Sequence, residues 1–160
     1  MDYSDRILSS LVPDNVLPQS LELESCVLAA LAEVRWREEV FTRLRRDCFN
    51  DEENKAIFSA CKKLYITSDD FCFEQVLESL GISEEKKNEL IRYAGLTQVE
   101  YYIKILLQYR MRRSAVVAAA NVIRMAMDDY VYVDDLLEAC VMLPRRVQFG
   151  DMAKWKPIRS

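Results

Sequence analysis

The chain has 160 residues, of which 51% are apolar and 30% are charged, and its formal net charge at pH 7 is −4. This length suits one domain with a buried core, and the acidic balance argues against bulk electrostatic binding to nucleic acid. No apolar run approaches the length of a membrane span, and Met1-Asp2-Tyr3 lacks the basic start of a signal peptide. We therefore expect a cytoplasmic protein with no membrane partner.

The chain contains five cysteines and no histidine. The cysteines form no Cys-x-x-Cys pair, so reduced and mostly buried thiols are a better interpretation than a zinc site or a disulfide framework. Without histidine the commonest general base is missing, and three glycines provide no phosphate-binding loop. The sequence therefore predicts a chain that is not an enzyme and that holds no metal ion or cofactor.

The first 97 residues alternate between short helical patterns and breaks. Residues 1–17 contain Pro13 and predict an N-terminal arm with one turn of helix, whereas residues 18–97 predict a helical head. Periodicity and capping residues in the head predict helices over residues 20–34, 36–45, 51–64, 70–80 and 84–94. No segment alternates like a β-strand, so the predicted fold class is all-α.

Three polar positions of the head carry specific expectations. Asn50 has the spacing of an N-cap for the third helix. Glu24 lies early in the first helix, where the helix dipole favours an acid. Arg37 lies on the face of the second helix that we expect to point outward.

Residues 99–127 form the longest helical pattern and contain neither Gly nor Pro. As one helix this segment would be roughly 40 Å long. Residues of one face recur at steps of four and three, with one charge at Arg113, which predicts a helix–helix seam for self-association. The candidate seam residues are Tyr102, Leu106, Tyr109, Val116, Ile123 and Met127. The opposite face is also largely apolar, so we expect this helix to be covered on more than one side.

A turn and a return helix follow, so residues 98–143 predict a helical hairpin and residues 144–160 a basic linker or tail. The apolar stripe of the return helix ends at Pro144, and its outer face is acidic. The charged residues of 101–127 are all basic, so the two arms suit antiparallel pairing or selection of a partner, although solvated faces would look the same. The candidate partner contacts are Asp129, Tyr130, Tyr132, Asp134 and Asp135.

Three arginines, at positions 110, 112 and 113, follow the tyrosines at 101, 102 and 109 of the long helix. Basic and aromatic residues together are a weak signature of nucleic-acid binding. Because neighbouring positions of a helix point in different directions, a solvated or interface role is the alternative. Arg110, Arg112 and Arg113 are the candidate DNA contacts.

Residues 18–31, PQSLELESCVLAAL, resemble the opening of the N-terminal domain of DnaB-type replicative helicases. Four more segments are similar to the family pattern in the same order: WREEVFTRL from residue 36, DCF from 47 followed by IFSA from 57, VEYYIKIL from 99 and VDDLLEA from 133. The resemblance covers about residues 16–141. Three positions depart from it, since Asn54 replaces a histidine, Ala29 replaces a glycine, and Pro144 shortens the return helix.

The resemblance implies a small helical head followed by a long helical hairpin. In the family this domain is a collar without catalysis that pairs through its hairpins and docks the primase or, in some systems, a helicase loader. The family's ATPase domain is not present in these 160 residues, so ATP hydrolysis is not implied.

Three functions remain open at this level. The first is an oligomerisation and interaction domain of a DnaB-like helicase, and a charge at Val116 or Ile123 would then prevent self-association. The second is a stand-alone regulator, encoded by a phage or mobile element, that binds a full-length replicative helicase. The third is a helical DNA-binding protein, whose affinity would fall steeply with salt.

Overall fold

A computed structural model describes residues 3–12, 14, 16–68 and 70–150. The helices are α1 (Tyr3–Leu11), α2 (Leu21–Ala30), α3 (Val34–Arg43), a short 3₁₀ helix (Arg46–Cys48), α4 (Glu52–Thr67), α5 (Phe73–Ser79), α6 (Glu84–Arg92), α7 (Val99–Ala126), α8 (Val133–Val141) and α9 (Leu143–Phe149). These ranges contain no β-strand, so the predicted all-α fold is confirmed. No helix within them is long and apolar enough to cross a membrane.

The chain divides into two compact units, which we name the head unit (residues 20–109) and the hairpin unit (residues 1–19 and 110–160). The boundary lies within α7, whereas the sequence suggested one near residue 98. The reason is that Val99, Ile103 and Leu106 are buried in the core of the head. The first turns of α7 are therefore part of the head, and the N-terminal arm belongs with the hairpin.

The core of the head unit is rich in aromatic rings. The ring of Phe58 lies 5.6 Å from that of Phe41 and 4.9 Å from that of Phe49, measured between centroids. The Arg37 guanidinium lies 3.7 Å above the Phe71 ring, and its Nε donates a hydrogen bond of 2.8 Å to the carbonyl oxygen of Leu31. Arg37 is therefore buried, and the expectation that it points outward was wrong.

The side chain of Glu24 is fully buried and joins α2 to the start of α4. Its carboxylate accepts hydrogen bonds from the backbone N–H groups of Asn50 and Asp51, at 3.1 and 3.2 Å, and from Nδ2 of Asn54, at 3.1 Å. The positive end of the α4 dipole also favours an anion at this position. Glu24, which lies near the start of α2, therefore also provides the hydrogen-bond acceptors at the start of α4.

Local capping explains where the head helices begin and end. The hydroxyls of Ser20 and Ser83 cap α2 and α6. The N-cap of α4 is Asp51, which accepts from the N–H of Asn54, and not Asn50 as predicted. Helix α5 ends where Gly81 takes a φ of 68°, a left-handed conformation that glycine adopts without a steric penalty.

In the hairpin unit, α8 and α9 return along the second part of α7. Residues 110–126 and 133–149 have equal length, each roughly 24 Å as helix. The end of α9 lies beside Arg110. Its Nη1 donates a hydrogen bond to the carbonyl oxygen of Gln148 and its Nη2 donates one to that of Gly150, both at 3.2 Å. We name α8 and α9 together the return arm. Pro144 lies in the first turn of α9, where no backbone donor is lost, so the return arm is longer than predicted. The predicted tail thus opens with a helix, and residues 151–160 lie outside the described residues.

The N-terminal arm contains a full helix, α1, that packs within the hairpin unit. Leu8, Val12 and Leu17 form a small apolar cluster with Ala120 of α7. Asp5 is buried, and one of its carboxylate oxygens lies 3.8 Å from Nη2 of Arg124. The arm therefore contains 9 residues of helix rather than the single turn that was predicted.

Replacing Glu24 with Ala is expected to lower the free energy of unfolding by about 3 kcal/mol, because buried donors at the start of α4 lose their acceptor. Urea unfolding followed by circular dichroism measures this loss. The control is Glu22→Ala, at an exposed position of the same helical turn, which should cost less than about 0.5 kcal/mol. Equal losses for the two variants would contradict the role assigned to Glu24.

The five thiols are free and are expected to differ in reactivity. Cys26, Cys48 and Cys61 are buried, whereas Cys72 and Cys140 are exposed. Burial raises the pKa of Cys61 to about 12, and the nearby Arg37 charge opposes this only in part. Burial and the charges of Glu22 and Glu89 likewise raise the pKa of Cys26.

At pH 8 a thiol-specific aromatic disulfide should therefore react quickly with Cys72 and Cys140 and with the three buried thiols only after unfolding. Absorbance of the released thiolate gives the number of reacted groups over time. Cys72→Ser and Cys140→Ser should each remove one fast equivalent. Fast reaction of Cys61 in the native protein would contradict the structure.

Candidate self-association surface

Helix α8 exposes an apolar stripe to solvent. The exposed fractions are 67% for Val133, 57% for Leu137 and 77% for Val141. These residues are four positions apart, so they lie along one face of the helix. We name Val133, Leu137 and Val141 the outer stripe.

The outer stripe is exposed because other residues of the return arm face inward. Ala139 is buried, and Leu136, Leu143 and Val147 are half-buried, at a helical spacing of three to four. An amphipathic helix normally has one apolar face and one polar face. Here the return arm is apolar on two faces, and the described chain covers only one of them.

Charge is separated along the return arm. Asp134, Asp135 and Glu138 of α8 are exposed and acidic, whereas Arg145 and Arg146 of α9 are exposed and basic. In an antiparallel pair of identical arms, the acidic part of one arm would face the basic part of the other. The surface therefore has the charge pattern of a self-complementary interface.

The first three predicted seam residues lie in the head unit. Leu106 is fully buried in the head core, and Tyr102 is half-buried against the same core. Tyr109 is also half-buried. In this part of α7 the predicted seam packs within the chain, and Leu106 offers no surface to a second copy.

The other three predicted seam residues lie in the hairpin unit. Val116 and Ile123 are half-buried and pack against the cluster formed with the N-terminal arm. Met127, just past the end of α7, is 39% exposed. A charge at Val116 or Ile123 would therefore disturb intrachain packing as well as any contact with another chain.

The predicted partner contacts form one exposed group around the turn and the start of α8. All five are exposed, and Tyr130 has 95% of its surface accessible. Within the turn, the N–H of Tyr130 donates a hydrogen bond of 2.9 Å to Oδ1 of Asp128. We name this group the hairpin tip: Asp129, Tyr130, Tyr132, Asp134 and Asp135.

Two of the three candidate DNA-contacting arginines are buried. Arg113 is 1% exposed and donates at 3.1 Å to the carbonyl oxygen of Pro18, and Arg110 holds the end of α9 as described above. Arg112 is exposed. The guanidinium groups of Arg110 and Arg113 thus fix backbone carbonyls of the hairpin unit, and the structure does not present them to phosphates.

Sequence reasoning did not separate the outer stripe from the inward residues of the return arm. The sequence groups five residues into one apolar stripe, because their spacing fits a single broad helix face: Val133, Leu136, Leu137, Cys140 and Val141. In the structure the buried Ala139 and the half-buried Leu136 mark the inward direction of α8. Within the described residues, no group of three or more histidine, cysteine or acidic side chains could hold a metal ion.

Replacing Arg113 with Met is expected to lower the free energy of unfolding by about 2 kcal/mol, since the partly buried carbonyl of Pro18 loses the charged donor that the buried Arg113 provides. Arg112→Met, the same change at the exposed neighbouring position, should cost less than about 1 kcal/mol. Chemical denaturation of both variants measures the difference. If Arg112→Met lowered the stability as much as Arg113→Met, the stabilising role assigned to the hydrogen bond between Arg113 and Pro18 would be wrong.

A protein-family model described as "DnaB-like helicase N terminal domain" matches residues 16–124, which is about two thirds of the chain. The matched region is the non-ATPase part of such helicases. No curated protein and no solved structure matches the chain with significant similarity. The family match covers the head unit and most of α7, and the all-helical structure is consistent with the fold of this family. The chain therefore belongs to the family of DnaB-like helicase N-terminal domains.

Proposed function

We propose that this chain is a non-catalytic oligomerisation and protein-interaction domain of a DnaB-like replicative helicase. The observation that supports the proposal best is the outer stripe, because a return arm with an uncovered apolar face calls for a partner. The family supports the same reading, since oligomerisation is general among such domains. The partner on this face is a second copy of the chain.

The charge pattern supports a second copy rather than an unrelated protein. In a two-fold pair each arm supplies both the acidic segment of α8 and the basic segment of α9, so both ends of the interface gain attraction. Arrangements that place two acidic segments together would be disfavoured by repulsion. The charges therefore set the antiparallel direction of the pair.

The size of the stripe limits how tightly two copies bind. Burying the exposed parts of Val133, Leu137 and Val141 would contribute roughly 4 kcal/mol per chain. The contribution of two chains, about 8 kcal/mol, lies within the range of about 4–15 kcal/mol for the cost of losing independent motion on association. We therefore expect a concentration-dependent dimer, strengthened by tyrosines of the hairpin tip or by assembly into a larger ring.

Leu137→Asp is expected to weaken self-association at least tenfold, because a carboxylate would be buried in the centre of the interface. Sedimentation velocity over a range of protein concentrations gives the dissociation constant. Ile91→Asp, the same kind of change at an apolar position of the head that is 66% exposed, is the control and should change it less than threefold. An unchanged dissociation constant for Leu137→Asp would overturn the outer stripe as the interface.

Leu137 is a better test position than the seam residues Val116 and Ile123. Its side chain is 57% exposed, so the aspartate is tolerated in the monomer. A folded Leu137→Asp variant is expected to keep the helical circular dichroism spectrum and thermal midpoint of the original chain. A lower mass of the sedimenting species can then be assigned to loss of the interface rather than to misfolding.

We further propose that the hairpin tip binds a replication partner, either the primase or a helicase loader. Exposed tyrosines among acidic side chains form a surface suited to a partner with basic and apolar residues. Mixing the chain with its cognate primase should give a larger species in size-exclusion chromatography with light scattering. The double change Asp129→Lys and Tyr130→Lys, in the turn and outside the acidic segment used for self-association, should remove it, while Glu38→Lys in the head should not. Binding to a full-length helicase but not to primase would instead support the stand-alone regulator.

A further inference from the structure

The head unit contains a groove that the proposed function does not use. It lies between the end of α2 and the helices α5 and α6, and its volume is about 500 Å³. Its floor is apolar, because Phe73, Leu77 and Leu90 line it and belong to the core of the head. We name this space the head groove.

Part of the apolar lining of the head groove is exposed to solvent. Ile91 of α6 is 66% exposed, and the exposed Ala32 and Ala94 line the same groove. Removing such apolar surface from water is favourable. The groove therefore offers uncovered apolar surface beside an apolar floor.

Hydrogen bonds within the head hold the walls of the groove in place. Between α6 and α2, Nζ of Lys86 donates at 3.0 Å to Oγ of Ser25, which donates at 3.1 Å to Oε1 of Glu89. Between α5 and α6, the N–H of Ile82 donates at 3.1 Å to the carbonyl oxygen of Leu77. The groove is thus formed before a ligand binds, which lowers the cost of binding.

The rim of the head groove is acidic. Glu74 and Glu78 are exposed, lie one turn apart on α5, and form no ion pair within the described part of the chain. On α6 the opposite charges of Glu84 and Lys87 offset each other, with 3.4 Å between Oε1 and Nζ. The two acids of α5 therefore leave a negative charge that attracts cationic side chains.

We propose that the head groove binds an amphipathic α-helix of a partner protein, with apolar side chains against the floor and lysine or arginine beside Glu74 and Glu78. The walls are mainly helices, whose backbone groups are already hydrogen-bonded, so the groove offers chiefly side chains to a ligand. An extended segment would place unpaired backbone N–H and C=O groups against the apolar floor, whereas a helix satisfies its own.

The volume of the head groove suits one face of a short helix. A cavity of about 150 Å³ holds one benzene molecule, so about 500 Å³ admits roughly three apolar side chains. Residues at i, i+4 and i+7 of a helix supply three such side chains on one face. Basic residues on both sides of that face would then reach the rim.

A synthetic peptide tests this ligand chemistry. The peptide is alanine-based, helical and about 16 residues long, with leucine at i, i+4 and i+7 and lysine on both sides of them. Fluorescence anisotropy of the labelled peptide, titrated with the protein, gives the dissociation constant. The same peptide with glutamate in place of lysine is expected to bind at least tenfold more weakly. Equal affinities, or no saturable binding below about 1 mM, would overturn the proposal.

Ile91→Ser is expected to weaken binding of the lysine peptide about tenfold, because the uncovered apolar surface of the groove is lost. The control is Ile66→Ser, the same change at a position of α4 that is 74% exposed, and it should alter the dissociation constant less than twofold. Both side chains are exposed, so both variants keep the fold. Equal effects of the two changes would contradict binding in the head groove.

Reversing the rim charge tests the basic part of the ligand. Glu74→Lys together with Glu78→Lys should weaken binding of the lysine peptide more than tenfold at low salt, and the effect should shrink as salt is added. Glu38→Lys together with Glu52→Lys changes the net charge equally at exposed positions outside the groove and should cost less than threefold. The same loss from both pairs would assign the attraction to net charge and overturn the rim.

The position of the bound peptide separates this inference from the proposed self-association. Amide chemical shifts in NMR spectra should change along α5, α6 and the end of α2, and changes confined to α8 would overturn the head groove. Leu137→Asp should leave the affinity for the peptide unchanged, and Ile91→Ser should leave self-association unchanged. If Ile91→Ser abolished self-association, the occupant would be a second copy rather than a partner protein, and the proposal would be wrong.

Discussion

The constraint on which this structure depends is that α7, 28 residues long, is apolar on almost every side. No single neighbour can cover such a helix, and each other part of the chain covers a piece of it. The head core takes Val99, Ile103 and Leu106, the N-terminal arm takes the surface around Ala120, and the return arm lies along residues 110–126. Because different parts of the chain cover different parts of α7, the boundary between the two units falls within this helix.

Buried charges hold these pieces in place. Glu24 gathers donors at the start of α4, Arg37 joins a carbonyl and an aromatic ring, and Arg113 holds the carbonyl of Pro18. A buried charge is tolerated only when its hydrogen bonds are satisfied, so each of these side chains fixes its neighbours in one arrangement. Basic residues that resemble a nucleic-acid surface in the sequence thus serve the architecture of the hairpin unit.

What remains uncovered indicates the function. The outer stripe and the hairpin tip are exposed along α8 and the turn before it, and the proposed second copy would offer complementary acidic and basic segments. A weak, self-complementary surface suits a domain that assembles with copies of itself and also admits other partners. The family to which the chain belongs supports a role as a DnaB-like N-terminal domain.

The sequence by itself determined the all-α class, the long helix, most helix positions and the family, because these depend on local periodicity, capping residues and short motifs. It also marked residues 102–127 as a surface that needs partners. Only the tertiary structure decided which partners lie within the chain: Leu106 in the head core, Val116 beside the arm, and Val133 facing solvent. Burial depends on contacts between residues far apart in the chain, as for Arg113 with Pro18 and Glu24 with Asn54, and helical periodicity carries no information about those contacts.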